Sequence, residues 1–253
     1  MNLRSLSCRW LAALVTLITP AILGAAETKP IRVALYDDAG AAGKGVPKVS
    51  EILGDATAFK VTIFKAPDVA TALKDADVVI FTGGSGGKQG NALGEAGRTE
   101  VQRFVRAGGG YVGICAGAYL ACSKFSWGLG LLDAQTVSNK WRRGVGDVQI
   151  EFTAPGQSVT GLPPERRTVK YANGPIIKPA GRSDLKPYEP LAIFRTELAE
   201  NDSPVGAMID TPALARGQFG EGRVFISSPH PEQTPGLEVT IERSVRWVAG
   251  RLP

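Results

Sequence analysis

Three short runs in the first half of the chain, Ile31 to Tyr36, Asp77 to Thr82 and Gly110 to Ile114, are apolar almost throughout. A fourth, Phe59 to Phe64, alternates. Between them lie stretches with helical spacing, Val49 to Leu53, Val69 to Leu73 and Gly97 to Arg106. A strand apolar on both faces must be covered on both faces, and helices between successive strands are the crossovers that parallel pairing needs. The pattern predicts an α/β fold with a mostly parallel sheet. After Trp127 it changes to Gly- and Pro-rich pieces. Asp147 to Thr153, Thr168 to Tyr171, Leu191 to Phe194, Val205 to Ile209 and Ala215 to Phe219 read as antiparallel ribbons appended to that sheet. Arg223 to Ser228 returns to the sheet, and a final helix spans Leu237 to Gly250.

The first 26 residues read as a secretory signal peptide. Arg4 and Arg9 precede an apolar stretch, Leu11 to Leu23, that is followed by Gly24-Ala25-Ala26. The stretch is short of the roughly 20 residues that span a bilayer, and no later segment is long and apolar enough. The expectation is therefore a protein exported to the periplasm or beyond, cut after Ala26, with one domain over residues 27–253. Loss of the leader lowers the formal charge from +5 to +3. That is no nucleic-acid footprint, because the cations at Lys140 to Arg143 and at Arg166-Arg167 are interleaved with other residues in loop-like sequence.

Two cysteines remain, Cys115 and Cys122. Placed on one helix they are about 10.5 Å apart in rise, too far for a disulfide. An unpaired thiol in an oxidising compartment calls for a reason. Cys122, in Leu120-Ala121-Cys122-Ser123, reads as a packed small apolar residue. Cys115 stands on a turn of small residues, Gly113-Ile114-Cys115-Ala116-Gly117, between a strand and a helix. There, free backbone N–H groups favour a thiolate.

Only one histidine exists in the chain, His230, in His230-Pro231-Glu232 directly after the last strand. It is the one imidazole available for proton transfer near neutral pH. Extended geometry before Pro231 allows Glu232 to face it. The Gly83-Gly84-Ser85-Gly86-Gly87-Lys88 loop follows a third strand. All three segments fall beyond the carboxyl ends of strands, where open α/β sheets bind ligands. The amides of Ala116 and of Gly84 or Ser85 are candidate oxyanion donors. The glycine loop is no phosphate site, since Thr82 stands where a Walker motif begins and Gln89 where it needs Ser or Thr. One histidine and two separated cysteines give no metal set, and no cofactor is expected. Asn173-Gly174 is first a turn signal, with Asn173 also a candidate pocket residue. Trp127 and Trp141 are candidates to cover the site.

These residues resemble the class I glutamine amidotransferase-like superfamily. The likeness rests on Gly113 to Gly117, the Gly83-Gly84 loop and Ser228 to Glu232. Tyr171 to Gly174 and Gly217 to Val224 look most similar to the domain at the N-terminus of biotin-protein ligases, which also occurs alone in bacteria. The resemblance implies a flavodoxin-like three-layer α/β/α sandwich, with Cys115 as nucleophile, His230 as base and acid, and Glu232 as its orienter. Those enzymes usually carry glutamine four residues after the cysteine, and this chain has Tyr119. Glutamine as substrate is thereby in question, and Tyr119 becomes a candidate substrate-binding residue. No ligase catalytic region is recognisable, so ligase activity, ATP and biotin are not carried over.

Four readings stay open at this point, the last of them a purely structural role of the fold. The first is an exported thiol hydrolase acting on an amide or ester of a small-molecule or peptide-like substrate. The second is a catalytically weak ligand-binding module of the same fold in the cell envelope. The third borrows from the deglycase and intracellular-protease branch, with Asp37 beside the cysteine.

Overall fold

Along β1 (Ile31–Tyr36) the side chains divide between two buried layers, because successive residues of a strand point to opposite faces. Ile31, Val33 and Leu35 join one apolar core, and Ala34 and Tyr36 join the other. The computed structural model describes residues 29–252, so the apolar leader and its cleavage point lie outside them. After β1 come α1 (Gly45–Ile52), β2 (Phe59–Phe64), α2 (Val69–Lys74), β3 (Val78–Phe81), α3 (Gly86–Arg106), β4 (Gly110–Ile114) and α4 (Ala116–Ala121). The second half contains β5 (Ala134–Thr136), β6 (Val145–Phe152), α5 (Ala154–Thr160), β7 (Arg166–Ala172), β8 (Ile177–Pro179), β9 (Glu189–Phe194), β10 (Pro212–Phe219), β11 (Gly222–Ser227) and α6 (Val239–Val248).

Nine strands form one sheet in the order β2-β1-β3-β4-β11-β10-β9-β6-β7, and β5 pairs with β8 in a small antiparallel ribbon. The first five are parallel and the remaining four antiparallel. Residues of α1, α5 and α6, among them Val49, Val159 and Val245, fill the first core. Residues of α2, α3 and α4, among them Leu73, Val101 and Leu120, fill the second. The result is a three-layer α/β/α sandwich with an antiparallel extension. Among the described residues no helix is long and apolar enough to cross a membrane.

Three local readings are corrected. Val205 to Ile209 is a turn region, not a strand. Val205 is 82% exposed, and Pro204 and Gly206 (φ +78°) deny it a regular ladder. The glycine run is not only a loop: α3 begins at Gly86, with Ser85 accepting a hydrogen bond from the Lys88 amide at 3.4 Å, and breaks its helical geometry at Gly94 (φ +63°). Glycines are poor helix formers, but here their lack of a side chain admits a close neighbour. A Cβ at Gly90 would overlap the Trp127 carbonyl. Lastly, α5 went unread although its start carries a signal, Thr153 accepting from the Gly156 amide at 3.1 Å with Pro155 behind it.

The second core is centred on aromatic rings. Phe81 stacks on Tyr36 (4.9 Å between centroids) and on Tyr111 (5.9 Å), and Phe64 meets Phe81 edge-on. Replacing Phe81 by Ala is expected to cost about 4 kcal/mol, through lost burial and the void left behind. Ile63→Ser, on a side chain 54% exposed, is expected to change stability by less than about 0.5 kcal/mol. Urea unfolding of the two variants measures the difference.

Candidate active site

Parallel pairing of β3, β4 and β11 brings three chain ends to one edge. Phe81 lies beside Gly113, and Ile114 lies beside Ser227. The next residues of each strand, Thr82-Gly83, Cys115 and Ser228 to His230, therefore leave the sheet together.

Cys115 takes φ +51° and ψ −97°, a backbone conformation that L-residues avoid, and tight packing around the turn keeps it there. Its amide donates to the Ser227 carbonyl at 2.7 Å, and its carbonyl accepts from Tyr119 at 3.1 Å to open α4. Gly113 and Gly117 are required by space. A Cβ at Gly117 would overlap the Phe81 carbonyl, and one at Gly113 would press on the Gly117 carbonyl. The Tyr111 hydroxyl donates to the Gly117 carbonyl at 2.8 Å. With α4 only six residues long, local N–H groups such as that of Ala116 matter more than a macrodipole. Cys115 precedes α4 and Cys122 follows it; both are buried and unpaired.

His230 is held from both sides of its backbone. Its amide donates to the Lys170 carbonyl at 2.7 Å, and its carbonyl accepts from Thr234 Oγ1 at 2.8 Å. Pro231–Gln233 is a 3₁₀ turn, so Glu232 faces the ring through a tight turn and not through extended chain. Nδ1 of His230 meets Glu232 Oε1 at 2.7 Å, with Glu232 1% exposed. With Nδ1 so engaged, Nε2 is left free, and Cys115 lies near enough to the ring to favour its charged form. Burial works against the charged ring. The hydrogen bonds from Cys115 and Glu232, and the attraction of both, outweigh it and push the imidazole up to about 10. The Cys115 sulfur also lies 3.4 Å from the Ala172 carbonyl.

Gln233 belongs to the same group and was missed from sequence. Its Nε2 donates to Glu232 Oε1 at 2.9 Å, while Lys170 Nζ donates to Gln233 Oε1 at 2.7 Å. Adjacency to Glu232 in the turn was its one signal. Glu232 Oε2 is buried without a hydrogen-bond partner.

Cys115 opens into a cavity of about 410 Å³ shared by Gly84, Ser85, Tyr119, Trp127, Trp141 and Asn173, with Phe125 and Thr136 among the other walls. Ser85 lines it but is corrected as an oxyanion donor, since its amide donates to the Gly40 carbonyl at 2.8 Å. Gly84 (φ +135°) is left beside Ala116 for that role. The Tyr119 hydroxyl donates to the Asn173 carbonyl at 3.1 Å, and burial pushes its ionisation far up. Asn173 (φ +57°) accepts from the Gly144 amide at 2.9 Å through Oδ1, so turn and pocket roles coexist. Gly83 backs the imidazole: a Cβ there would sit 2.9 Å from His230 Cε1. Asp37, the residue after β1, is exposed to solvent and is not part of the cavity wall.

Residues 31–141 match the family model described as biotin-protein ligase, N terminal. Among solved structures, a glutamine amidotransferase is 20% identical, with 86% of this chain and 98% of that chain aligned at a TM-score of 0.58. A ThuA-like protein from Bacteroides uniformis is 19% identical over 91% of this chain and 95% of that one, at a TM-score of 0.60. A curated but uncharacterized protein from Chlamydia muridarum is 38% identical over 50 residues, 20% of this chain and 19% of its own length. The chain thus spans about a fifth of that relative.

Alkylation is expected to reach Cys115 well before Cys122 at pH 7. Cys115 opens into the cavity, whereas burial pushes the Cys122 thiol up to about 12 and its sulfur bonds the Ala118 carbonyl. Mass-spectrometric labelling rates decide, and equal or reversed rates contradict the assignment. The imidazole supplies a second check. A folded-state value above the ordinary one gives stabilisation that is complete below about 6.5 and lost as pH rises toward 10. In the untagged protein the single histidine gives one ring signal. Its NMR titration midpoint is expected well above 6.5, and lower in Cys115→Ala and in Glu232→Gln.

Proposed function

We propose that this chain, which has the class I glutamine amidotransferase-like fold, is a cysteine-dependent hydrolase that cleaves an amide or ester. The observation that carries the reading is the buried pairing of His230 Nδ1 with Glu232 Oε1 at 2.7 Å beside Cys115, which itself opens into the cavity. In this reading the Cys115 thiolate attacks the carbonyl carbon. The oxygen gathers charge against the Ala116 and Gly84 amides. The C–N or C–O bond then breaks, and the leaving group takes a proton from the His230 imidazolium. Water next attacks the thioester, gives a proton back to His230, and the sulfur leaves. Glu232 holds the ring orientation and stabilises its charged form.

Export to the periplasm or outside is part of the proposal and rests on the N-terminal pattern Arg4, Arg9, Leu11 to Leu23, Gly24 to Ala26. Biotin ligation is not part of it, because the matching model describes the N-terminal part of those ligases. One observation favours the second reading, a binding module: Tyr119 occupies the place where amidotransferases usually have glutamine, and its hydroxyl is committed to Asn173.

A panel of amides and esters, followed by ammonia or acid release, separates the two. Cys115→Ala is expected to abolish turnover, and Glu232→Gln to lower kcat by about 10²-fold or more. Hydrolysis that survives Cys115→Ala removes the cysteine mechanism, and no hydrolysis across the panel leaves the binding module.

A further inference from the structure

The cavity above Cys115 is unusual in its charge. Among the described residues, Cys115 and Tyr119 are the ionisable groups along its wall, and neither Lys, Arg, Asp nor Glu contributes to it. Tyr119 stays neutral, held to the Asn173 carbonyl. Arg143 lines the adjoining space together with Tyr119 and Trp141, but its charge is already answered by Glu197. Arg143, 3% exposed, donates to the Pro204 carbonyl at 3.0 Å and lies 3.6 Å from Glu197. A free α-amino acid would bring an ammonium and a carboxylate into this space with no opposite charge on its wall to pair with them, and burying unpaired charges is costly.

What the walls do offer is aromatic surface. Phe125 and Trp127 stack at 4.3 Å with planes 12° apart, and Tyr119 leans on Phe125 at 6.1 Å. Trp141, 51% exposed, forms the outer wall. An exposed tryptophan over a nucleophile-bearing cavity loses water-exposed surface when a flat apolar group enters beneath it. The polar side chains along the wall, among them Thr136, Ser138 and Asn139, are uncharged.

We infer that the acyl group bound by this site is uncharged and aromatic, so that the substrate class is neutral aryl-bearing amides or esters, not free amino-acid amides such as glutamine. This rests on the hydrolase reading only for the bond cleaved. The choice of group rests on the walls.

Binding is measured with Cys115→Ala, which forms no thioester, by calorimetry with phenylacetamide, propionamide and L-glutamine. Phenylacetamide is expected to bind about tenfold more tightly than propionamide, with no measurable heat from glutamine. Adding Trp141→Ala is expected to weaken phenylacetamide about fivefold, and Trp141→Phe to restore most of the loss. The substitution lies on a half-exposed side chain, so folding is not at stake. Glutamine binding as well as phenylacetamide, equal binding of the two neutral amides, no binding of either, or no effect of Trp141→Ala overturns the inference. Turnover by the wild-type protein tells the two claims apart. Faster ammonia release from glutamine than from phenylacetamide sinks the aromatic assignment and keeps the hydrolase. Binding of phenylacetamide to Cys115→Ala without hydrolysis of any probe by the wild type sinks the hydrolase and keeps the pocket assignment.

Discussion

Everything at the site depends on β4 pairing in step with β3 on one side and β11 on the other. The pairs Phe81 with Gly113 and Ile114 with Ser227 place Gly83, Cys115 and His230 on one rim. A one-residue slip of β11 would send its side chains to the opposite helix layers and move its end by about 3.3 Å. The buried runs of both strands oppose that slip. Val224, Phe225 and Ile226 each have a layer of helix to fill, so register and core are the same constraint.

The antiparallel extension is part of the site and not an appendage. β7 supplies the Lys170 carbonyl that holds the His230 amide, the Ala172 carbonyl near the sulfur, and the chain leading to Asn173. The turn after β11 closes around the ring through Glu232, Gln233 and Thr234. A buried carboxylate with one oxygen unpartnered is costly unless a cation faces it, and the imidazolium is that cation. The same pairing that favours a charged ring thus makes the carboxylate tolerable in the interior. Lys170, reaching Gln233, extends the chain of polar contacts to the edge strand.

Much of the fold was legible because burial on both faces leaves its mark on composition. The runs at Ile31, Asp77 and Gly110 could belong only to covered strands, and β1, β3 and β4 follow them closely. The same logic misled at Val205 to Ile209, where apolar residues flanking Gly206 lie exposed in a turn. It also passed over the first half of α3, because glycine's low helix propensity says nothing of the close approach to Trp127 that requires it. At the site, Cys115, His230 and Glu232 stood out by scarcity and spacing. The tie of Gln233 to Lys170 and the use of the Ser85 amide by Gly40 did not, since both are contacts across tens of residues.

By itself, the sequence determined the layered α/β architecture, the sharp small-residue turn at Cys115 and the uniqueness of His230, because periodicity, side-chain volume and residue counts are local properties. Tertiary structure decided which atoms meet. The 3₁₀ turn that seats Glu232 on Nδ1, the tie between Tyr119 and Asn173, and the uncharged aromatic cavity over the sulfur all arise where segments distant in the chain share one rim. Hydrogen bonds and desolvation act over a few ångström in space, and spacing along a sequence does not encode them.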